Sequence, residues 1–418
     1  MSEFNVTIPG GESLRLKTGG KYCPADIIVE SPPAPVEKDI NFWDYDGTLL
    51  YSYTLAEMQA LTEMPPAPTP KQDFLVFDRW LWTLDEIKAA DGIVDVGAIY
   101  DTVDNATYIE LSLLLPNEEI TLNVRDNPTV EWGDGTTSNS VAIGTTHTYS
   151  QPGDYTIKII GGGSLGGGSS STSVISGDIK RSAVTAVFSN KGRGTANYCF
   201  HDFIAMKHAS VPNTGNGQYI FQNCYNLEHF NAPSAFGICI LMDCKSLRLV
   251  CSTPNLGGYA LQSQSFRGCS SLARTPVYPA RVTSEGYMLY GCSSLEKIII
   301  KSSGTTLGAY TGYACYAAKS IIIEEGTASL GAMCFYNCFS ARIIDLPSTL
   351  TSIAAQAFQN CSSVKKMVFK SATPPAVANS NAFTGIPASC IVEVPAASLD
   401  AYKAATNYGT IAAQMVGV

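Results

Sequence analysis

The sequence predicts a mainly β chain built from several modules, the last of them a repeat solenoid. Three observations carry this: a Cys-centred repeat through the second half, a central stretch of strand-like alternation punctuated by turn glycines, and a composition poor in charge. Of 418 residues only 15% are charged, while Gly 36 and Tyr 21 are abundant, which suits short strands and tight turns. The length calls for roughly two to four domains. A net charge of -9 offers no basic footprint for nucleic acid, and no apolar run reaches the ~18 residues that span a bilayer. The opening MSEFNVTIPGGESLRLK has no basic segment followed by an apolar one, so no secretory leader is expected. The 13 Cys are accordingly expected as reduced thiols.

The repeat organises the C-terminal half. Cys224, Cys244, Cys269, Cys292, Cys315, Cys338 and Cys361 follow one another at intervals of 20, 25, 23, 23, 23 and 23. Phe221, Leu241, Phe266, Leu289, Phe335 and Phe358 stand three residues before the Cys, and Gly312 breaks that series. Leu227, Leu247, Leu272, Leu295 and Val364 stand three after it; Phe230, Val250, Ile298, Ile321, Ile344 and Met367 stand six after. Asn or Asp precedes it at Asn223, Asp243, Asn337 and Asn360. Such a unit makes one coil, which buries its apolar set only against the coils above and below. The Cys set reads as a buried structural column, because a metal site needs clustered ligands such as paired CxxC, and none exists.

Basic residues recur four or five positions after the Cys: Arg248, Arg274, Lys297, Lys319, Arg342, Lys365 and Lys366. The fifth position has the opposite parity to the inward sixth, so its side chain is expected to face out. Stacked coils would set these cations in a ribbon, within about one Debye length of each other, suited to a polyanionic surface.

Phe358-Gln-Asn-Cys-Ser-Ser-Val364 and Leu346-Pro-Ser-Thr-Leu-Thr-Ser-Ile353 resemble the unit of BspA-type leucine-rich repeats. Ile391-Val-Glu-Val-Pro395 and Ser398-Leu-Asp-Ala-Tyr402-Lys403 look like that family's terminal cap. The resemblance covers roughly residues 215–418 and implies a binding scaffold without catalytic residues. Residues 173–214 are expected to lead in as a modified first coil, since an exposed repeat end needs capping.

In the middle, Tyr108–Leu113 and Ile120–Val124 alternate as strands do. Trp132-Gly-Asp-Gly-Thr136 and His147-Thr-Tyr149-Ser-Gln-Pro-Gly153-Asp-Tyr155 resemble polycystic-kidney-disease (PKD) domains, which are immunoglobulin-like sandwiches. Trp132 and Tyr155 are expected in its core, with Asp134 in a turn. The Gly/Ser stretch 161–172 has the composition of a flexible tether, or of a packed Gly-rich edge.

Near the start, Asp44-Tyr45-Asp46-Gly47-Thr48-Leu49 reproduces the D-x-D-G-T-L motif of haloacid-dehalogenase phosphotransferases, in which the first Asp is the nucleophile beside Mg²⁺. The context argues against that chemistry, since Pro65-Pro-Ala-Pro-Thr-Pro70 follows and strands of the sandwich begin soon after. A turn whose carboxylates bond backbone amides is expected, with no bound metal and no neighbouring Lys. Residues 8–29 resemble a segment common near the N-termini of tail and other virion proteins of phages infecting Gram-positive gut bacteria. Residues 41–61 and 80–88 resemble a second module of such proteins, with Pro32–Pro35 as a stiff spacer between.

The expected modules are therefore an attachment-like segment at 1–40, a small α+β module at 41–100, a sandwich at 101–160, a linker at 161–172 and a solenoid at 173–418. No catalytic residue, cofactor or metal is expected. The resemblances imply a phage virion structural protein, in a tail or head appendage assembled in host cytoplasm. Its N-terminal region would meet other virion proteins, and its solenoid a host-surface polysaccharide or protein. Self-association is left open, and neither nucleic acid nor membrane insertion is expected. The alternatives are a bacterial cell-surface adhesin with the same repeats and, last, a haloacid-dehalogenase-like phosphatase.

Overall fold

The structure is a computed structural model that describes residues 37–90, 92–166, 173–177, 180–190, 195–212, 217–232, 238–252, 263–274, 286–300 and 306–418. It also gives the backbone of strands Glu3–Thr7, Ser13–Lys17 and Asp26–Glu30, which form one antiparallel sheet. The spacer at Pro32–Pro35 lies outside the described residues.

The first described module is α+β. Its sheet runs in the order Leu49–Tyr53, Ile40–Trp43, Val94–Thr102, Leu75–Trp80, with the two central strands parallel. Two short helices, Leu55–Ala60 and Leu84–Ala89, each open on a capping box, Thr54 with Glu57 and Thr83 with Glu86. That Thr-x-x-Glu pattern satisfies two amide groups which a helix of one and a half turns would otherwise leave open. All nine residues of Val94–Thr102 are buried, because the sheet is covered on one face by its helices and on the other by the rest of the chain.

The sandwich follows. One sheet carries Thr129–Glu131, Gly153–Ile160, Thr107–Leu113, Val184–Phe188 and His208–Ser210 side by side; the other carries Thr145–Tyr149, Glu118–Leu122 and Ile175–Ser176. The alternation seen in the sequence sends Ile109, Leu111 and Leu113 inward, against Ile120, Leu122 and the fully enclosed Trp132. Tyr149 donates its hydroxyl to the Trp132 carbonyl at 2.9 Å.

Sandwich and solenoid share a sheet. Val184–Phe188 pairs antiparallel with Thr107–Leu113 and parallel with His208–Ser210, and one apolar core runs from Ile109 to Met415. Of the two readings of the Gly/Ser stretch, residues 161–166 follow the packed edge: Gly163 N donates to Arg125 O, Gly166 N to Asn123 O, and Leu165 is fully buried. The stretch 167–172 lies outside the described residues.

The solenoid makes about eight turns. Strands Lys297–Ile300, Ser320–Ile323, Ile343–Leu346, Lys366–Phe369, Ile391–Val394 and Met415–Gly417 form one parallel sheet, and a second follows Thr306–Leu307 through Ala376–Val377. Ile298, Ile321, Ile344, Met367 and Val392 are in register and completely enclosed. Each ladder Cys is buried and unbridged. Its thiol points at a carbonyl of the preceding coil: Cys224 to Phe200, Cys244 to Phe221 and Cys292 to Phe266 at 3.1 Å, Cys338 to Gly312 and Cys361 to Phe335 at 3.3 Å. A carbonyl has two lone pairs. Backbone N–H groups of the same turn already reach Phe221 O, Leu241 O, Phe266 O and Leu289 O, and a thiol from the next coil is small enough to meet the second without widening the coil. Gly312 breaks the Phe series because a Cβ there would sit 2.7 Å from Phe335 Cδ1.

The residue before each Cys lies in the left-handed region, with φ of 61° at Asn223, 59° at Asp243, 72° at Gly291 and 65° at Asn360. Asn, Asp and Gly tolerate that conformation at least cost. At the far end Tyr402 donates to Ser371 O and Tyr408 to Pro375 O, closing the last coil. Among the described residues no helix is long and apolar enough to cross a membrane.

Phe358 is enclosed and stacks between Phe335 and Phe383, with centroids 5.7 and 6.3 Å away. Phe358→Ala should therefore cost about 3–5 kcal/mol, read from denaturant unfolding; a loss below about 1 kcal/mol would contradict this packing. Burial also pushes the Cys244, Cys269, Cys292 and Cys315 thiols well above their ordinary value. A Cys23→Ala variant leaves only the 12 cysteines of the described residues, all of them buried. It should show no fast thiol toward a disulfide reagent in the native state and all 12 after unfolding.

Candidate functional site

The acidic turn is the first candidate. The chain leaves Ile40–Trp43, and Asp44 N donates to Thr48 O at 2.9 Å while Gly47, at φ 84°, returns its N–H to Asp44 O. Asp44 Oδ1 accepts from Tyr45 N at 2.8 Å and from the Tyr100 hydroxyl at 2.7 Å. Asp46 Oδ1 accepts from Thr48 N at 3.0 Å. These are the backbone-bonding roles expected of a turn.

The expectation of no neighbouring Lys is wrong. Lys71 Nζ lies 3.2 Å from Asp44 Oδ2 and 2.5 Å from Asp46 Oδ2, and it donates to Thr48 Oγ1 at 2.7 Å. The Pro-rich segment, read only as a reason against a catalytic domain, is what carries the chain back over the turn. Burial works against the Lys71 charge, but the hydrogen bond with Asp46 and the two carboxylates hold its pKa above the ordinary lysine value. Asp46 is held low, again against burial, by Lys71 and Thr48. Among the described residues no three His, Cys, Asp or Glu side chains are grouped to hold a metal, and the ammonium stands where a cation between the carboxylates would have to sit. Asp134 makes a similar turn, accepting from Thr136 N and meeting His147 Nε2 at 2.8 Å.

A second cluster joins the first module to the solenoid. Trp82 Nε1 donates to Ser252 O at 2.6 Å, and Asn231 Nδ2 to Ala98 O at 2.9 Å. His229 Nε2 stands 2.6 Å from Asn231 Oδ1, so the ring proton is on Nε2. Asn231 lies so close that a Cβ on Gly97 would be 2.4 Å from its Cγ. Asp95, buried, accepts from Trp43 Nε1 at 2.8 Å and pairs with Arg274 NH1 at 3.1 Å; Arg274 also pairs with Glu37.

Arg274 thus belongs to this junction and is no part of an outward ribbon. The other cations divide into two columns. At the fifth position Lys297, Ser320, Ile343 and Lys366 stand in register, so Ser320 and Ile343 interrupt the charge, and Lys366 pairs with Glu393 at 2.8 Å. At the fourth position the backbone ladder runs Glu228, Arg248, Ala273, Glu296, Lys319, Arg342, Lys365. Lys319 pairs with Glu296 at 2.9 Å, which leaves Arg342 and Lys365 as exposed neighbours. The seven cations form no continuous ribbon.

A face that the sequence reading passed over lies five and two residues before the ladder Cys. Tyr287 stacks on Tyr310 at 4.7 Å, Tyr290 on Tyr313 at 4.8 Å and Tyr313 on Tyr336 at 5.2 Å, with interplanar angles of 11°, 3° and 4°. The Arg267 guanidinium caps one end, 5.8 Å from the Tyr287 centroid and 5.5 Å from that of Tyr290. The signal was in the sequence, since these tyrosines keep the same 23-residue phase as the Cys.

Residues 182–248, 251–365 and 283–391 match the family described as BspA type leucine rich repeat region, in 6 copies. Among solved structures, a leucine-rich repeat protein from Bacteroides ovatus ATCC 8483 is 19% identical with a TM-score of 0.39; the match covers 51% of this chain and 61% of that one. A leucine rich cell surface protein from Faecalibacterium prausnitzii A2-165 is 14% identical with a TM-score of 0.28, over 57% of this chain and 78% of that one. No curated protein matches the chain.

The junction sets a pH dependence. Burial lowers the His229 pKa from its ordinary 6.5 to about 4, so the native state refuses a proton that the unfolded chain accepts. Stability from this source is complete above 6.5 and falls as the pH drops toward 4. Asp95 in the same junction is raised to about 6 by burial and acts in the opposite sense. Between pH 7 and 5 the stability of the native sequence should therefore fall relative to that of His229→Gln in denaturant unfolding; equal slopes for both would contradict it.

Proposed function

We propose that this chain, whose residues 182–391 are built of BspA-type leucine-rich repeats, is a non-enzymatic binding scaffold of a bacterial cell surface. The observation that carries the reading is the repeat frame itself. Each coil sets the same positions one step further along a solvent-facing column, on a core continuous with the sandwich. Such a frame holds a long surface rigid before any ligand arrives, which lowers the ordering cost of binding. In the acidic turn Asp44 Oδ1 and both Asp46 oxygens are hydrogen-bonded to Tyr100, Lys71 and backbone amides, while Asp44 Oδ2 meets only the Lys71 charge. The non-enzymatic part of the reading therefore rests on the repeat frame. The N-terminal module and sandwich serve as a base locked to the solenoid through Trp82, Asn231 and Arg274.

The neighbour described as a cell surface protein agrees with this placement. The virion reading rests on the resemblance of residues 8–29, 41–61 and 80–88, and the PKD reading of the sandwich on residues 132–155; both are resemblances of sequence.

Two measurements test the proposal. An antibody against the solenoid should label intact cells of the source bacterium and lose its target on brief protease treatment. Finding the protein in purified phage particles, and absent from the cell surface, would favour the virion reading. Hydrolysis of p-nitrophenyl phosphate with Mg²⁺ should stay at the background rate; turnover that Asp44→Asn abolishes would overturn the non-enzymatic part.

A further inference from the structure

We infer that the tyrosine face is the ligand surface of the solenoid, and that its ligand is an extended, uncharged, hydroxyl-rich polymer of the neutral polysaccharide class. The inference rests on the binding-scaffold reading and deepens it by naming the face and the chemistry.

The first argument is composition. Across the seven coils, the positions five and two before the ladder Cys carry Tyr, Gln, Met, Cys and one Arg, with no Asp, Glu or Lys among them. The chain holds 36 acidic residues and a net charge of -9, and the columns at the fourth and fifth positions both carry charge: Glu228, Arg248, Glu296, Lys319, Arg342 and Lys365 in the first, Arg274, Lys297 and Lys366 in the second. Two columns free of carboxylate and ammonium stand out against that background. With their faces stacked on one another, the phenol rings offer edges and hydroxyls, which together with amides meet sugar hydroxyls and C–H groups without needing a counter-charge.

The backbone gives the second. Both the position before the Cys and the one five before it lie in the left-handed region. At the former the chain mostly uses Asn, Asp and Gly, the residues that accept it most cheaply. At the latter it places Tyr219, Tyr287, Tyr310, Met333 and Gln356, at φ between 53° and 65°, none of them cheap there. Backbone economy alone would choose otherwise, so the side chains themselves are what that position retains, a pattern associated with functional surfaces.

The third is geometry. The rings stack at 4.7, 4.8 and 5.2 Å along the solenoid axis, so any polymer with a unit every ~5 Å meets the same chemistry at each coil. The rings are half-buried and already ordered by one another, so little rotamer freedom remains to be lost on contact. Arg342 and Lys365, the exposed cations of the fourth position, lie in a different column and give a control surface on the same protein.

The test is native affinity electrophoresis of the full chain through gels containing dextran, mannan or laminarin, with alginate as the polyanion. The wild type should be retarded by at least one neutral glycan, equally at low and physiological salt. Tyr290→Ala with Tyr313→Ala should weaken that retardation roughly tenfold, and Tyr290→Leu with Tyr313→Leu, which keeps apolar bulk for the fold, should weaken it too. Arg342→Glu with Lys365→Glu should leave it unchanged. Melting curves for each variant separate lost binding from lost folding. Retardation by alginate alone, relieved by salt and by the Arg342 and Lys365 changes, would overturn the inference while leaving the scaffold reading standing. So would a tyrosine-dependent dimer on a sizing column, since the face would then be covered by a second copy. Absence of retardation in every gel, from a protein that still labels the cell surface, would equally reject the glycan.

Discussion

Everything in the solenoid depends on how each coil turns its corner. The turn places a residue in the left-handed region and buries a carbonyl that the turn's own N–H groups answer on one side only. Cys224 N does this for Phe221 O at 3.2 Å, leaving the second lone pair to the next coil. A thiol meets that carbonyl from the next coil at 3.0 to 3.3 Å, seven times over. Serine would satisfy the same acceptor, but its hydroxyl pays more for an apolar setting and can demand a second partner. Cysteine behaves as a small hydrophobe with one weak donor. Because the thiol is consumed in the corner, the column is chemically silent, and the face that meets solvent is free to vary.

The solenoid is joined to the sandwich by a shared strand. Val184–Phe188 offers one edge to the sandwich and the other to the first coil, so the solenoid inherits its strand direction from a sheet that is already formed. The small α+β module is fixed from the side, where Gly97 lets Asn231 approach its strand and Trp82 reaches the Ser252 carbonyl. Buried polar groups at such a junction contribute more to a unique arrangement than to net stability, since Asp95 and Arg274 must both be desolvated to meet.

Periodic features were legible in the sequence, and single encounters were not. The Cys phase, the inward sixth position and the Asn or Asp before the Cys all repeat, and repetition reveals a constraint even when its cause is hidden. The cause at Asn223 and Asn360 is a backbone angle, and at Gly312 it is the ring of Phe335. Lys71 meets Asp44 and Asp46 once only, over a loop, and no pattern announces it. Arg274 shows the opposite failure. Its phase matched that of Lys297 and Lys366, yet Asp95, 179 residues away, claims it. A shared phase places side chains in a column and says nothing about what else reaches that column.

The same distinction decides where a ligand should be sought. The cations drew attention because charge is conspicuous in a chain with little of it, but three of the seven, Arg274, Lys319 and Lys366, are paired with acids. The others stand in two columns that Ala273, Ser320 and Ile343 interrupt. Exposed pairs of this kind add little to stability and read as solubility for a surface otherwise rich in Gly and Ser. The tyrosines are less conspicuous and cost more. Tyr219, Tyr287 and Tyr310 occupy a backbone conformation that disfavours them, and Tyr290, Tyr313 and Tyr336 stack with neighbours contributed by other coils. A residue that is expensive where it stands, repeated in phase, and turned toward solvent is a stronger sign of a binding surface than a charge already answered by its neighbour.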